Sequence, residues 1–148
     1  MPIKIPFFKG IILGAERDVI SFAVKYGSLP NFYAKAMIDN GSPYTILPEN
    51  VLKRTRIPYH STPIKKDKPS LNLGGIIPQL RELGVCELIF RDENNRPIII
   101  KQEIYAGIPS SGLYLYQGLP CFIGKDLLDG HYISIIKSKQ GNHLLKED

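Results

Sequence analysis

Residues 36–47 read Ala-Met-Ile-Asp-Asn-Gly-Ser-Pro-Tyr-Thr-Ile-Leu, so a short apolar run leads into Asp39, the chain turns over Gly41, and a second apolar run follows. Asn-Gly between two apolar runs is the strongest short signal for a tight hairpin turn, because both residues accept positive φ angles. On this interpretation Asp39 is a solvated turn residue without a chemical role. The alternative is a carboxylate held at a loop tip by a strand on each side.

The order of features around the loop favours the second interpretation. The segment Ile20–Tyr26 alternates apolar and polar side chains, as a half-buried strand does, and it precedes the loop. A glycine pair follows some thirty residues later, within Leu73-Gly74-Gly75-Ile76. Far downstream the sequence continues with Phe122-Ile123-Gly124-Lys125-Asp126-Leu127-Leu128.

This order resembles the retropepsin-like aspartic proteases, the single-lobe, retroviral-type relatives of pepsin. The pattern of that family is apolar-apolar-Asp-Thr/Ser-Gly-Ser/Ala, then a flap that contains glycine, then apolar-apolar-Gly-x-Asp-x-Leu. The match extends roughly over residues 18–138, and its specific parts are the loop at Asp39 and the segment from Phe122 to Leu128. Asn40 departs from the pattern, since the family has Thr or Ser there.

The resemblance implies a role for each matching residue. Asp39 would be the catalytic acid, in an active-site loop with Asn40, Gly41 and Ser42. The segment Leu73, Gly74, Gly75 and Ile76 would be the flap that closes over an extended peptide, while Phe122, Ile123 and Gly124 would brace the loop from behind. Asp126 would be structural, so the second catalytic carboxylate must come from Asp39 of another copy in a homodimer.

Composition limits the remaining possibilities. The 148 residues are 43% apolar with a net charge of +5, which indicates one globular domain over residues 1–148, with its core at about 18–138. No apolar run reaches the roughly 18 residues of a membrane span, and the start lacks the pattern of a secretion signal, so we expect a cytoplasmic protein without a membrane partner. The spacings of Cys and His indicate free thiols, no metal site and no cofactor.

Twelve prolines and thirteen glycines break the chain into short segments, which predicts an all-β fold. We expect about eight short strands and one or two short helices, closed into a small barrel of the acid-protease type. Segments 85–90 and 98–105 form the clearest hairpin, with Ile98–Ile100 buried on both faces. Ile3–Ile5 and Ile11–Leu13 are predicted as separate edge strands, Leu47–Arg54 and Lys125–Leu128 as helical turns, Tyr132–Ile136 as the last core strand, and residues 137–148 as a tail.

Two other functions remain open at this stage. A catalytically silent member of the same family would serve as a dimerisation or peptide-binding domain, and Asn40 keeps this alternative open. A small β-barrel that binds nucleic acid is suggested by the basic charge, although the basic clusters at Lys53–Arg56 and Lys65–Lys68 are typical of a solvated surface. We therefore expect the partners to be a second copy and a peptide or protein substrate, and no nucleic acid.

Overall fold

The computed structural model describes residues 2–12, 14–65, 79–108 and 119–147. These residues form nine strands, two short α-helices and one turn of 3-10 helix at Tyr59–Ser61. No described helix has the length and apolar character needed to cross a membrane. The helices are α1 Glu49–Leu52 and α2 Lys125–Gly130; the strands are β1 Ile3–Ile12, β2 Ala15–Lys25, β3 Phe32–Ile38, β4 Ile46–Pro48, β5 Gln79–Arg91, β6 Pro97–Ile108, β7 Cys121–Ile123, β8 Ile133–Ile136 and β9 Asn142–Lys146.

Within the described residues, six strands close into a ring. They lie in the order β3-β7-β4-β6-β5-β2, and β2 pairs again with β3, so this part of the sheet has no free edge. From β2 the sheet continues through β1 and β9 to β8, which is its outer strand. An all-β fold with a small closed barrel and two short helices was predicted from the sequence, and the structure confirms it.

A single large core fills the barrel, and a smaller apolar cluster lies apart from it. The main core takes the inward side chains of every long strand together with Leu127 and Leu128 of α2. The smaller group, which we call the satellite cluster, is formed by Ile46, Leu80, Tyr105, Leu119 and Phe122, with Met37 and Tyr44 packed against it. The last two residues of β3 contact different clusters, since Ile38 belongs to the main core and Met37 packs against the satellite cluster.

The Asn40-Gly41 hairpin is not formed. Strand β7 lies between β3 and β4, so the strands on either side of the turn do not pair with each other. Neither Asn40 nor Gly41 has a positive φ angle, which a two-residue hairpin turn of the expected kind requires. The hairpin expected in the opening stretch is therefore wrong: Asp39 directly follows a strand that is paired on both sides.

The ends of the chain are more ordered than the sequence indicated. Instead of two short edge strands, β1 is one strand that pairs with β9 through Phe7 and with β2 from Phe8 onwards. Pro6 is tolerated because β1 has one neighbouring strand there, so a missing N–H interrupts no second ladder. The expected tail contains β9, which inserts between β1 and β8.

The other differences are local. Ile99 is 55% exposed, so Ile98–Ile100 is not buried on both faces; β6 pairs there with β5 and covers the core with one face. The predicted helix from Leu47 is shorter, because Leu47 and Pro48 belong to β4. The β5–β6 hairpin is confirmed and longer than predicted, with Asp92 Oδ1 accepting the backbone N–H groups of Asn94 and Arg96 in its turn.

Candidate active site

Strands β3 and β7 place Asp39 at the end of a parallel pair inside the barrel wall. Ile38 pairs with Ile123, and the next backbone N–H, that of Asp39, donates to the carbonyl oxygen of Ile123 at 3.0 Å. Ile38 and Ile123 are buried in the main core, whereas the Asp39 side chain is half-buried at the barrel end. The position of the carboxylate is therefore set by packed strands rather than by the loop alone.

The loop after Asp39 fixes one carboxylate oxygen. Asp39 Oδ1 accepts the backbone N–H of Gly41 at 2.9 Å, and the Asp39 carbonyl accepts the N–H of Ser42 at 3.1 Å. A Cβ at position 41 would lie 3.1 Å from Asp39 Oδ1, so glycine leaves the space that this contact uses. Within the described part of the chain, Oδ2 of Asp39 accepts no hydrogen bond, which leaves it for an outside group.

Gly124 braces the loop from behind because its backbone lies against the loop backbone. A Cβ at this position would be 2.2 Å from the carbonyl oxygen of Tyr44, far inside contact distance, so no other residue fits without movement of the backbone. The next N–H, that of Lys125, donates to the Ser42 carbonyl at 2.7 Å. Ser42 is buried, and its hydroxyl donates to the Tyr44 carbonyl at 2.8 Å.

Asp126 ties the start of α2 to the strand that follows the loop. Its carboxylate accepts the hydroxyl and the backbone N–H of Thr45, the backbone N–H of Leu127 and the amide of Gln102. Gln102 Oε1 lies 3.1 Å from Nε2 of His131. Burial raises the pKa of Asp126, and these hydrogen bonds act in the opposite direction without cancelling it. Because four groups hold the Asp126 carboxylate in place, its role in this structure is to join the surrounding segments.

The satellite cluster covers one side of the Asp39 loop with aromatic side chains. The Tyr44 and Tyr105 rings meet edge to face with centroids 4.9 Å apart. Lys65 Nζ lies 5.1 Å from the centroid of the first ring and 5.3 Å from that of the second. Burial raises the pKa of Tyr105 to about 12, so its hydroxyl stays protonated at neutral pH. Sequence analysis did not find this cluster, since its members come from five separate strands and loops.

Asp39 also lines a small charged cleft of about 250 Å³. In this cleft Asp18 Oδ1 lies 2.9 Å from Lys9 Nζ, and Asp18 Oδ2 lies 2.9 Å from Lys137 Nζ. Burial opposes ionisation of Asp18, but the two lysines outweigh it and lower its pKa. The three residues join β1, β2 and the segment after β8, a combination that no local sequence pattern reveals.

The structure brings together most of the residues predicted for the site. Asp39, Asn40, Gly41 and Ser42 form one loop, and Phe122, Ile123 and Gly124 pass directly behind it in β7 and the residue after it. Asn40 is exposed at the tip of this loop. The predicted flap residues lie outside the described residues; they are Leu73, Gly74, Gly75 and Ile76.

Groups suited to metal or thiol chemistry are placed elsewhere. Cys86 and Cys121 are buried free thiols, and burial raises the pKa of each to about 12, so neither is a nucleophilic thiolate at neutral pH. Among the described residues no three side chains of the His, Cys, Asp and Glu types gather in a way that would hold a metal ion. The chemistry available at the loop is therefore that of a carboxylate.

Comparison with known proteins gives matches in structure alone. No family model and no curated protein matches the chain. The EIAV protease, solved with an inhibitor bound, is 9% identical with a TM-score of 0.47, over 86% of this chain and 100% of that one. The retroviral protease-like domain of Ddi1 from Leishmania major is 11% identical with a TM-score of 0.43, over 87% of this chain and 94% of that one.

The chain is similar to retroviral-type proteases. At such identities and TM-scores nothing about activity follows from the likeness. What the site can do rests on the residues of this chain.

Proposed function

We propose that the protein is an aspartic endopeptidase that acts as a homodimer, with Asp39 of each chain contributing one carboxylate. The observation that supports this most is the setting of Asp39. It ends a strand paired on both sides, one of its oxygens is held by the N–H of Gly41, and the other has no partner among the described residues. A carboxylate so fixed and still accessible is suited to acid–base work on a bound ligand.

A second carboxylate is needed, and the two partly buried acids in this part of the described chain are already engaged, while Glu16 lies exposed in the same cleft. Asp126 is engaged by Thr45, Gln102 and Leu127, and Asp18 by two lysines. A second copy of the chain, related by a two-fold axis, would bring its own Asp39 to the first. Two carboxylates about 3 Å apart share one proton, because both cannot ionise. The ionised member takes a proton from water while the protonated member donates one to the peptide carbonyl.

Two surface features suit such a dimer. Asn40 and Gly41 are exposed at the tip of the loop, where a two-fold axis would make the two loops touch. Strand β8, Ile133–Ile136, is the outer strand of the sheet formed by the described residues, so one of its edges has no partner strand among them and suits pairing with a second copy. In the proposed dimer the loops are aligned by this kind of self-complementary contact.

The proposal includes a flap at Leu73–Ile76 that closes over an extended substrate. Its support is the paired base of the segment: Ile64 bridges to Arg81, and the N–H of Lys65 donates to the Leu80 carbonyl at 2.9 Å. The described residues on either side of this segment therefore lie next to each other, beside the satellite cluster, which contains Leu80. The two buried free thiols suit the reducing conditions of the cytoplasm, which we propose as the location.

Asp39→Asn tests the proposal. Wild-type protein and variant are incubated with a peptide library of mixed sequence, and cleavage products are identified by mass spectrometry between about pH 4 and pH 7. We expect cleavage by the wild type and a loss of about a thousandfold or more in the variant, which keeps the contact to Gly41 but cannot share the proton. The control is Asp129→Asn on the exposed end of α2. Equal cleavage by wild type and the Asp39 variant contradicts the proposal.

The second candidate is a silent member of the same fold that binds peptides or dimerises. The exposed Asn40 favours it, because the family's hydroxyl residue at this position is replaced by a longer amide. A dimer in sedimentation experiments that binds peptides from the library and cleaves none of them would establish this function instead.

A further inference from the structure

A large groove in the described structure lies outside the Asp39 cleft. It runs over the β1–β2 hairpin and β3, is closed by α1, and encloses about 790 Å³, within the range of ligand-binding sites. We call it the hairpin groove. None of its lining residues also lines the Asp39 cleft. The residues that matter below are Phe8, Ile11, Val19, Tyr33, Lys35 and Arg54.

Exposed apolar side chains are concentrated in this groove. Tyr33 is 85% exposed, Ile11 73% and Phe8 44%. Among the described residues seven large hydrophobic side chains are exposed, and these three share one groove, where Val19 is buried at the floor. Single exposed apolar residues are ordinary on a protein surface, but a contiguous group marks an interaction site.

The charged side chains that line the hairpin groove are all positive. Lys35 and Arg54 are the charged residues of its lining, which contains no carboxylate. Lys35 Nζ lies 5.8 Å from the centroid of the Phe8 ring, so a cation stands next to the apolar surface. A ligand that fits both properties has carboxylates beside large apolar side chains.

Backbone groups along the groove suit an extended ligand. Strand β9 pairs with β1 only from Ile3 to Phe7, so from Phe8 to Ile12 the described ladders leave the outer edge of β1 unpaired. Such an edge accepts an added strand. Asn50, in the lining, donates from Nδ2 to the Leu119 carbonyl, while its buried Oδ1 has no partner among the described residues. An N–H donor from a ligand would satisfy this acceptor.

We propose that the hairpin groove docks an extended, acidic segment of a protein partner that carries large apolar side chains. The site is separate from Asp39 and does not depend on the proposed hydrolysis. A single-stranded nucleic acid fits less well. Its phosphates need a track of cations along the backbone, whereas this groove has two cations, and one of its three aromatic rings, that of Phe22, is buried and cannot stack on a base.

A peptide array tests the proposal. It carries octapeptides in which acidic residues (Asp, Glu) and large apolar residues (Phe, Leu, Ile) are combined in all possible orders. One matched array has lysine in place of each acidic residue, and another has glycine in place of each apolar one. Full-length protein is expected to bind members of the first array and not of the other two. The affinity of the best peptide is then measured in solution by fluorescence anisotropy, with mass spectrometry to verify that the peptide is intact.

Two variants test whether the peptide binds in the hairpin groove. Lys35→Glu/Arg54→Glu is expected to weaken the best peptide about tenfold or more, because it reverses the charge of the groove. Tyr33→Ala removes a side chain that is 85% exposed, so folding is unaffected, and it is expected to weaken binding about fivefold. The control Arg96→Glu/Lys139→Glu makes the same change in charge at exposed positions outside the groove and should change affinity less than about twofold.

The following results would refute the proposed docking site. Absence of binding to every acidic peptide, or equal binding by the groove variant and the control, removes the site. Tighter binding of a dT8 oligonucleotide than of the best peptide, lost in the same groove variant, assigns the groove to nucleic acid and refutes a protein partner. Each of these results is independent of whether the protein cleaves peptides.

Discussion

The hydroxyl of Thr45 donates a hydrogen bond of 2.8 Å to Oδ1 of Asp126, a residue 81 positions later in the chain. The same hydroxyl oxygen accepts the backbone N–H of Gly124 at 3.2 Å, and the Thr45 N–H donates to Asp126 Oδ2. One side chain thus joins the strand after the Asp39 loop to the segment that passes behind that loop. This junction adds to the backbone contacts of Asp39 with Ile123 and of Ser42 with Lys125.

Replacement of Thr45 tests that junction. Thr45→Val keeps the shape of the side chain and removes the hydroxyl, which leaves the Gly124 N–H and one site of a buried carboxylate without a partner. We expect a loss of about 2 kcal/mol in the free energy of unfolding, measured with urea. Thr62→Val is the control, since its hydroxyl makes one bond, to the Tyr59 carbonyl, in a less buried place. A loss in Thr45→Val no larger than in this control would contradict the role assigned to Thr45.

Gly124 is expected to tolerate no side chain. Gly124→Ala puts a methyl group 2.2 Å from the Tyr44 carbonyl oxygen, so the two backbone segments must separate, at a cost of about 3 kcal/mol. Gly130→Ala provides a matched control, because a Cβ there meets nothing within 4 Å and alanine favours the helix. Thermal unfolding of both variants measures the difference, and similar melting temperatures would refute the close contact.

The pH dependence of stability should reveal the ion pairs of Asp18. Its pKa is lowered in the folded protein, so the ionised group stabilises the fold above the pKa of the unfolded chain, and this contribution is lost as the pH falls through the folded value. Asp18→Asn should therefore be less stable than wild type at pH 7, and the difference should shrink below about pH 4. Urea titrations from pH 2 to pH 7 measure it. A difference that stays constant over this range would exclude the pairs with Lys9 and Lys137 as its cause.

Asn40→Thr tests whether the amide limits the proposed dimer. In the family the hydroxyl at this position bonds across the two-fold axis to the backbone of the partner loop, and a misplacement of about 1 Å at such a site costs about a hundredfold in rate. We expect the variant to have faster hydrolysis, a lower dimer dissociation constant, or both. Cleavage assays and sedimentation measure the two quantities. If Thr weakens both, Asn40 is the residue adapted to this loop.

Local sequence signals predicted the parts of the fold that depend on neighbours in the chain. The β5–β6 hairpin follows from alternation on both sides of a polar turn, where Asn95 has a φ of 63°. The same signals misplaced Ile99, because three consecutive isoleucines do not reveal which face of the strand is covered. Strand β9 was missed because five residues in a polar surrounding give no alternation that distinguishes a strand from a tail.

For the candidate site, the family pattern identified residues that the hydrophobic periodicity of the sequence did not. Asp39 and Gly124 were selected from their motifs, and the structure brings them to the same loop. The tie of Thr45 to Asp126 was not predicted, because no local pattern pairs residues 81 positions apart. Lys9 and Asp18 face each other in the β1–β2 hairpin, which was missed because the first residues were predicted as two short edge strands. The roles of Asp39 and of Leu73–Ile76 in chemistry remain predictions.

The parallel pairing of β3 with β7 has a consequence for the protein while it is being synthesised. Ile38 lies early in the chain, but its partner Ile123 and the bracing Gly124 are made only in the last fifth. Until those residues leave the ribosome, β3 has one neighbouring strand, and the Asp39 loop has nothing behind it. Contacts between such distant residues form late in folding, after local hairpins. A growing chain therefore lacks the support behind the Asp39 loop until Gly124 has been made, so the proposed active site forms only after β7 is synthesised.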